Sequence, residues 1–408
     1  MASKKQNLFK SKVYEFVNLF VHQKIENKSK DLFLYGTNNL FPNDLLKTLA
    51  ESGTATSCAN KLDQFIQADG FIEESTANVI TNPATGERAD SLLSMISSCV
   101  SIYQSFALYV KRTADGKFYS AEYIEFEKLR KTISGHFIFN KNFGNEYYKE
   151  IEDIELPAFK KRDLTPLELS VQVDRFGDVG EVFYVHKKKV GQNIYPIPSY
   201  YSGIEDIKTD AELSKFEYET AVNSFITSAI LTIVGNVDNT IKDETGRTDQ
   251  DHLDDVLKDF TGAKKDKNGM SGRSKLAVFS AATKDEVPVL QSFDSKAIMD
   301  AANGATDRIG RKVARLFEVP PFLIGLESAT GFNTKILVDQ IDIFNKTVNG
   351  TQRFISNALK ILYPTYDWTI STFNPISYIP SEVYAKLTDD EIRASAGYKP
   401  KEIVTTIP

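Results

Sequence analysis

The residues most able to do chemistry in this chain of 408 are a histidine among carboxylates, two glycine-bearing loops and two cysteines. His252 sits with Asp249, Asp251, Asp254 and Asp255, donors that suit a hard divalent cation. On a helix, however, these positions point around much of the surface, which makes a solvated acidic face. His22, His136 and His186 lie far apart, and no HxxxH or HExxH motif occurs. A phosphate loop needs Gly-x4-Gly-Lys-Ser/Thr, so that backbone N–H groups cradle phosphate and the lysine reaches it. The span from Gly325 to Gly331 has one residue too many, Lys335 falls four positions late, and "GMSGRSK" (269–275) also lacks the spacing. Cys58 in "TSCAN" and Cys99 in "SSCVS" read as buried free thiols, with no disulfide scaffold and no CxxC metal pair. There is no Gly-x-Ser-x-Gly elbow and no credible triad. The expectation is a protein with no catalytic residues, no metal and no cofactor.

The composition is ordinary for a soluble globular protein. A length of 408 residues allows ~2–3 domains. Hydrophobic residues at 41% and charged residues at 25% leave room for a sizeable core. The net charge of −6 excludes a globally basic nucleic-acid coat. No run approaches the ~18 apolar residues of a membrane span. The start "MASKKQNLFKSKVYEFVNLFVHQK" is no signal peptide, because Lys12, Glu15, Asn18 and His22 interrupt it. It reads as an amphipathic helix with Phe9, Val13, Phe16 and Phe20 on one side. The chain reads as intracellular.

The elements that would position any site form an α+β chain. In "YGTNNLFPNDLLKTLAES", Pro42 and Asn43 precede a helical run. Residues 91–113 begin helical and end as a strand. Alternating, aromatic-rich segments follow at 118–129, 135–143, 146–156 and 180–189. From Pro198 and Ser199 a long acidic helical run begins, with Glu205, Asp206, Asp210, Glu212, Glu217 and Glu219 against Lys208 and Lys215. Residues 227–293 read as a small α/β insertion, with strands at 228–235, 275–280 and 287–293, an acidic helix at 249–260 and a basic glycine loop.

A second long helix, 294–317, places Ile298, Ala302, Ala305, Ile309, Val313 and Leu316 at helical spacing. Arg308, Arg311, Lys312 and Arg315 make a stripe beside that face. The stripe is either a solvated face or a surface that meets the acidic helix, in the same subunit or a neighbouring one. "VARLFEVPPFLIG" then breaks the helix at Pro320 and Pro321, and "LESATGFNTK" follows as a polar loop. Residues 333–364 form a helical run that would span ~45 Å, with a kink expected at Asn349–Gly350. Thr388 and Glu391 spell a capping box for a short terminal helix.

This order resembles the portal proteins of tailed bacteriophages, best over residues 180–364. "IGRKVARLFEVPPFLIGLESATGFNTK" is its most specific piece, and "VFYVHKKK" and "YGTNNLFPNDLL" also fit. The resemblance implies an α+β portal fold: an α/β wing, a two-helix stem, a small α/β clip insertion, a tunnel loop and a long kinked helix. Residues 1–198 would form most of the wing. Residues 199–226 and 294–318 would be the stem helices, 227–293 the clip, 319–334 the tunnel-loop region and 335–363 the long helix. Residues 364–408 would belong to the wing or crown.

It also implies a homo-oligomeric, typically dodecameric ring at one capsid vertex of the virion, assembled in the host cytoplasm. The ring would pass double-stranded DNA without reading sequence. It would meet the terminase motor, the major capsid protein and head-completion proteins. Ser328, Thr330, Asn333 and Lys335 would face DNA. Glu205, Glu212, Glu219, Arg308, Arg311, Lys312 and Arg315 would hold the stem. Lys264, Lys265, Lys267 and Arg273 would be clip contacts for a partner, or a solvated loop. Another ring-forming head or neck component and an enzyme with an α/β lid are the competing readings.

Overall fold

The computed structural model describes residues 32–143, 149, 152–187, 189–190, 192, 194–222, 229–234, 246, 248, 276–281, 295–326, 334–373, 388 and 391. Of these, 219–222, 229–234, 276–281, 295–301 and 334–335 are described by their backbone alone. The expected helices at 1–24 and 249–260, the strand at 287–293 and the body of the terminal helix lie outside these residues. The capping box itself is formed: Thr388 Oγ1 donates to Glu391 Oε2 at 2.8 Å, and Glu391 N donates back to Thr388 Oγ1.

Three helices open the described chain: α1 (Phe41–Glu51), α2 (Gly53–Gln67) and the single turn α3 (Glu74–Ala77). Pro42 lies inside the first turn of α1, not ahead of it; its missing N–H would be unpaired there in any case. A short hairpin, β1 (Ile80–Asn82) and β2 (Glu87–Arg88), leads into α4 (Ala89–Tyr103). The segment 91–113 divides as the sequence suggests. Gln104 in the left-handed conformation ends α4, and β3 (Ser105–Arg112) follows at once.

β3 is the central strand of an antiparallel sheet, between β4 (Phe118–Tyr123) and β8 (Glu181–His186). The Arg112–Glu181 ion pair, 2.6 Å and almost wholly buried, clamps β3 to β8. A second antiparallel sheet has β6 (Phe137–Phe139) between β5 (Leu129–Lys131) and β7 (Ile154–Leu156). Arg130 on β5 is fully buried. It is satisfied by carbonyl oxygens of Asn39, Glu127 and Leu129 and by Asn39 Oδ1, as a buried guanidinium requires.

α5 (Pro166–Phe176) has no counterpart in the sequence reading. Its start is nonetheless a full capping box, Thr165 with Glu168, with Pro166 in the first turn. After β8 come α6 (Ile204–Val222), β9 (Ala229–Val234), β10 (Leu276–Ala281), α7 (Ser295–Leu316) and α8 (Thr334–Leu362). β9 and β10 pair in parallel.

One apolar core runs from Tyr35 to Ile370. α2 is its hub, touching α1, α4, α6, α7 and α8. Small buried residues, Ala55, Cys58 and Ala59, let those helices come close. α8 turns Ile341, Phe344, Val348, Ile355, Leu359 and Leu362 inward, the spacing of one helical face. Phe344 meets Phe65 of α2 edge to face at 4.6 Å. α8 is continuous α-helix through Asn349 and Gly350, the position at which a kink is expected.

Candidate functional site

α6 and α7 form an antiparallel pair. Gly203, just before α6, lies against Leu316 at the end of α7. Asp206 meets Lys312 at 3.0 Å, and further along Thr306 donates to Glu217 at 2.8 Å. Paired positions thus run in opposite directions along the two helices. The packed faces are apolar: Ile204, Ile207 and Ala211 from α6, and Ile309, Val313 and Ala314 from α7. A Cβ at residue 203 would sit 2.3 Å from a Leu316 methyl, so a larger residue there would force the Leu316 side chain to move.

α6 is fastened to the rest of the fold by Asp210. This buried carboxylate accepts from Ser52 Oγ at 2.7 Å and from Thr54 Oγ1 at 2.9 Å. Ser52 is the N-cap of α2, so the charge also lies at the positive end of that helix.

The acidic and basic stripes meet across the pair at one place only among the described ion pairs, Lys312–Asp206. Glu205 pairs with Lys208 and Glu212 with Lys215 in their own helix, and Arg311 pairs with Asp307 in its own. Arg308, Arg311 and Arg315 are exposed on α7, and Glu205 and Glu212 on α6. Of Glu219 and Lys335 only the backbone is described. Ser328, Thr330, Asn333, Lys264, Lys265, Lys267 and Arg273 lie outside the described residues.

α7 ends before the prolines. Glu318 takes the left-handed conformation (φ 59°). Its N–H reaches Arg315 O, and Val319 N–H reaches Ala314 O at 3.0 Å. This pair of bonds is a Schellman closure, with glutamate where glycine is usual. Pro320 and Pro321 then start one 3₁₀ turn, Pro321–Ile324. That turn closes in the same way: Gly325 is left-handed, and Leu326 N–H reaches Pro321 O at 3.1 Å. Leu326 folds back onto Gly310 of α7. The Pro-Pro step is therefore a hydrogen-bonded corner that turns the chain back along α7 as far as Leu326.

Sequence reasoning missed Asp206, Asp210 and Glu318 as individual actors. It also missed a cavity beside the corner, of about 280 Å³, lined by Lys187, Lys189, Gln104 and Glu318 among others. "HKKK" was its only visible signal. Among the described residues no group of His, Cys, Asp and Glu could hold a metal ion, and no helix is long and apolar enough to cross a membrane.

No family model matches the chain, and no curated protein matches it. Solved structures do. The chain is similar to one in the virion of the native gene transfer agent (GTA) particle, at 13% identity and TM-score 0.46, covering 88% of this chain and 94% of that one. A chain from the neck of the native GTA particle, computed with C12 symmetry, gives the same figures. An HK97 family phage portal protein from Corynebacterium diphtheriae matches at 11% identity and TM-score 0.38, over 77% of this chain and 89% of that one.

Proposed function

We propose that this chain is the subunit of a phage portal: a ring at one capsid vertex through which the genome enters and leaves. The observation that carries this reading is the antiparallel α6–α7 pair. One of its ends opens into the insertion and the other closes in a hydrogen-bonded corner. The outer face of α6 carries Glu205 and Glu212, each paired with a lysine of its own helix, while that of α7 carries Arg308, Arg311 and Arg315 with Asp307 as the one exposed carboxylate among them. The excess of arginine on α7 can meet carboxylates of α6 in a neighbouring copy, a head-to-tail arrangement that makes a ring where its rotation closes. Charge of this kind sets register more than affinity.

In this reading α6 and α7 are the stem, residues 227–293 the clip that meets the terminase motor and later the head-completion proteins, and 319–334 the tunnel-loop region. The ring has about twelve copies, sits in the virion against the major capsid protein, and assembles in the host cytoplasm. Its role is mechanical and not enzymatic. A channel for DNA of any sequence must not grip it, since every phosphate paired with Lys or Arg adds affinity. Ser328, Thr330 and Asn333 offer small polar groups, with Lys335 as a sparse cation, for contacts that position without reading bases.

The test is imaging of the purified full-length chain by negative stain. Rings with a central hole support the proposal, and particles without one contradict it. A second test replaces Ser328–Asn333 with a shorter glycine linker. Ring assembly should persist while DNA packaging falls in a complementation assay; unchanged packaging removes the loop from its assigned role.

A further inference from the structure

The cavity beside the corner is built from six separate parts of the chain. α2 gives Leu62, the α4–β3 turn gives Gln104, and the segment after β8 gives Lys187 and Lys189. The entry to α6 gives Ser199 and Tyr200. The end of α7 with α8 gives Leu316, Phe317, Glu318, Thr347, Val348 and Thr351. Its volume, about 280 Å³, lies just below the ~300–1,000 Å³ of sites for drug-sized ligands.

Its charge is unbalanced. Lys187 Nζ donates to Thr351 Oγ1 at 2.7 Å, and Lys189 Nζ to Gln104 Oε1 at 2.8 Å. Neither ammonium has a carboxylate within ion-pair range among the described residues. Each ammonium has three donors, so two on each remain for a ligand. Burial pushes both lysines below their usual range, Lys189 pushes Lys187 further, and Glu318 pulls both back up. Two cations face one carboxylate within an apolar wall, and such a wall focuses the field on the cavity.

The neutral groups are arranged as donors too. Thr351 Oγ1 accepts from Lys187, and Ser199 Oγ accepts from Gln104 Nε2 at 2.6 Å. Each hydroxyl therefore keeps its own hydrogen to give. Donors supplied from several directions suit a tetrahedral anion better than a planar carboxylate. We propose that the cavity between Lys187, Lys189 and Glu318 binds a phosphate-class anion, as free phosphate or as a phosphodiester of DNA. The inference does not depend on the ring.

Calorimetric titration of the full-length chain with inorganic phosphate at constant ionic strength tests it. The native chain should bind phosphate. Lys187→Gln and Lys189→Gln should each bind about tenfold more weakly, the loss of one charge-assisted hydrogen bond, while Glu318→Gln should bind more tightly. No phosphate binding by the native chain, or lysine variants that bind as it does, would overturn the proposal. Should Lys187→Gln fail to fold, Lys189→Gln decides, because it gives up only the bond to Gln104. Competition with a short DNA duplex distinguishes the sources: displacement of phosphate marks a phosphodiester site, and its absence marks a site for the free anion.

Discussion

Asp210 on the first long helix accepts a hydrogen bond from Ser52, the residue that caps α2. One carboxylate thereby joins the α6–α7 pair to the hub of the core. Asp210→Ala should cost about 3 kcal/mol, because it strips Ser52 and Thr54 of a buried charged acceptor. Asp210→Asn keeps one acceptor oxygen and should cost less. Urea unfolding midpoints measure both. Equal midpoints for the native chain and Asp210→Ala would contradict the anchoring role.

Glu318 sits at φ 59° in a position that glycine normally fills. A left-handed non-glycine residue costs about 1–2 kcal/mol, so Glu318→Gly should stabilise the chain by about 1 kcal/mol. Glu318→Val should do the reverse, since branching at Cβ worsens the clash. A thermal melt of the two variants checks the sign. A destabilised glycine variant would mean that the carboxylate, through Lys187 and Lys189, outweighs the strain.

Lys312 and Asp206 are 43% and 31% exposed. A double-mutant cycle on this pair should give less than about 1 kcal/mol. Reversing Arg311 and Arg315 to glutamate should act elsewhere. Both face solvent in the single chain, so the oligomer should weaken well before the fold does. Sedimentation and thermal unfolding measured together separate the two effects. Unaltered oligomer size and stability would remove these arginines from any interface.

Both cysteines should be silent in the folded chain. Burial first, and then the charge of Asp210, pushes the Cys58 thiol up to about 12. Burial likewise pushes Cys99 upward. At pH 8 both remain thiols, and only the thiolate is a nucleophile. A disulfide reagent should therefore modify neither until denaturant is added. Fast modification of the native chain would contradict their burial.

The long elements could be read from periodicity, because packing only reinforces what their sequences already prefer. α6, α7 and α8 fall within a few residues of the expected bounds, with a 3₁₀ turn, Ser199–Gly203, where the acidic run was expected to begin. β3, β8, β9 and β10 follow their β-branched and aromatic runs. α5 was written in the sequence as Thr165-Pro166-Leu167-Glu168, but its apolar pattern is weak, and Leu167 and Val171 stay exposed. Local spacing could not foretell the end of α7. The prolines announce a stop, yet the stop comes at Glu318, whose residue type argues against the conformation it holds. Asp210 and Lys312 illustrate the same limit. Each belongs to a charged stripe, and only the folded chain shows that one is buried under Ser52 while its helix neighbour Glu212 turns outward. Arg130 looks like a surface residue and is buried among carbonyls. Side-chain partners distant in sequence leave no mark on local pattern.

The central claim is that the α6–α7 pairs of many copies close into a ring. The solution mass of the purified full-length protein tests it most directly. A single species of about twelve subunits of 45.8 kDa each is the expected result. A monomer or dimer at every concentration and salt examined would contradict the account.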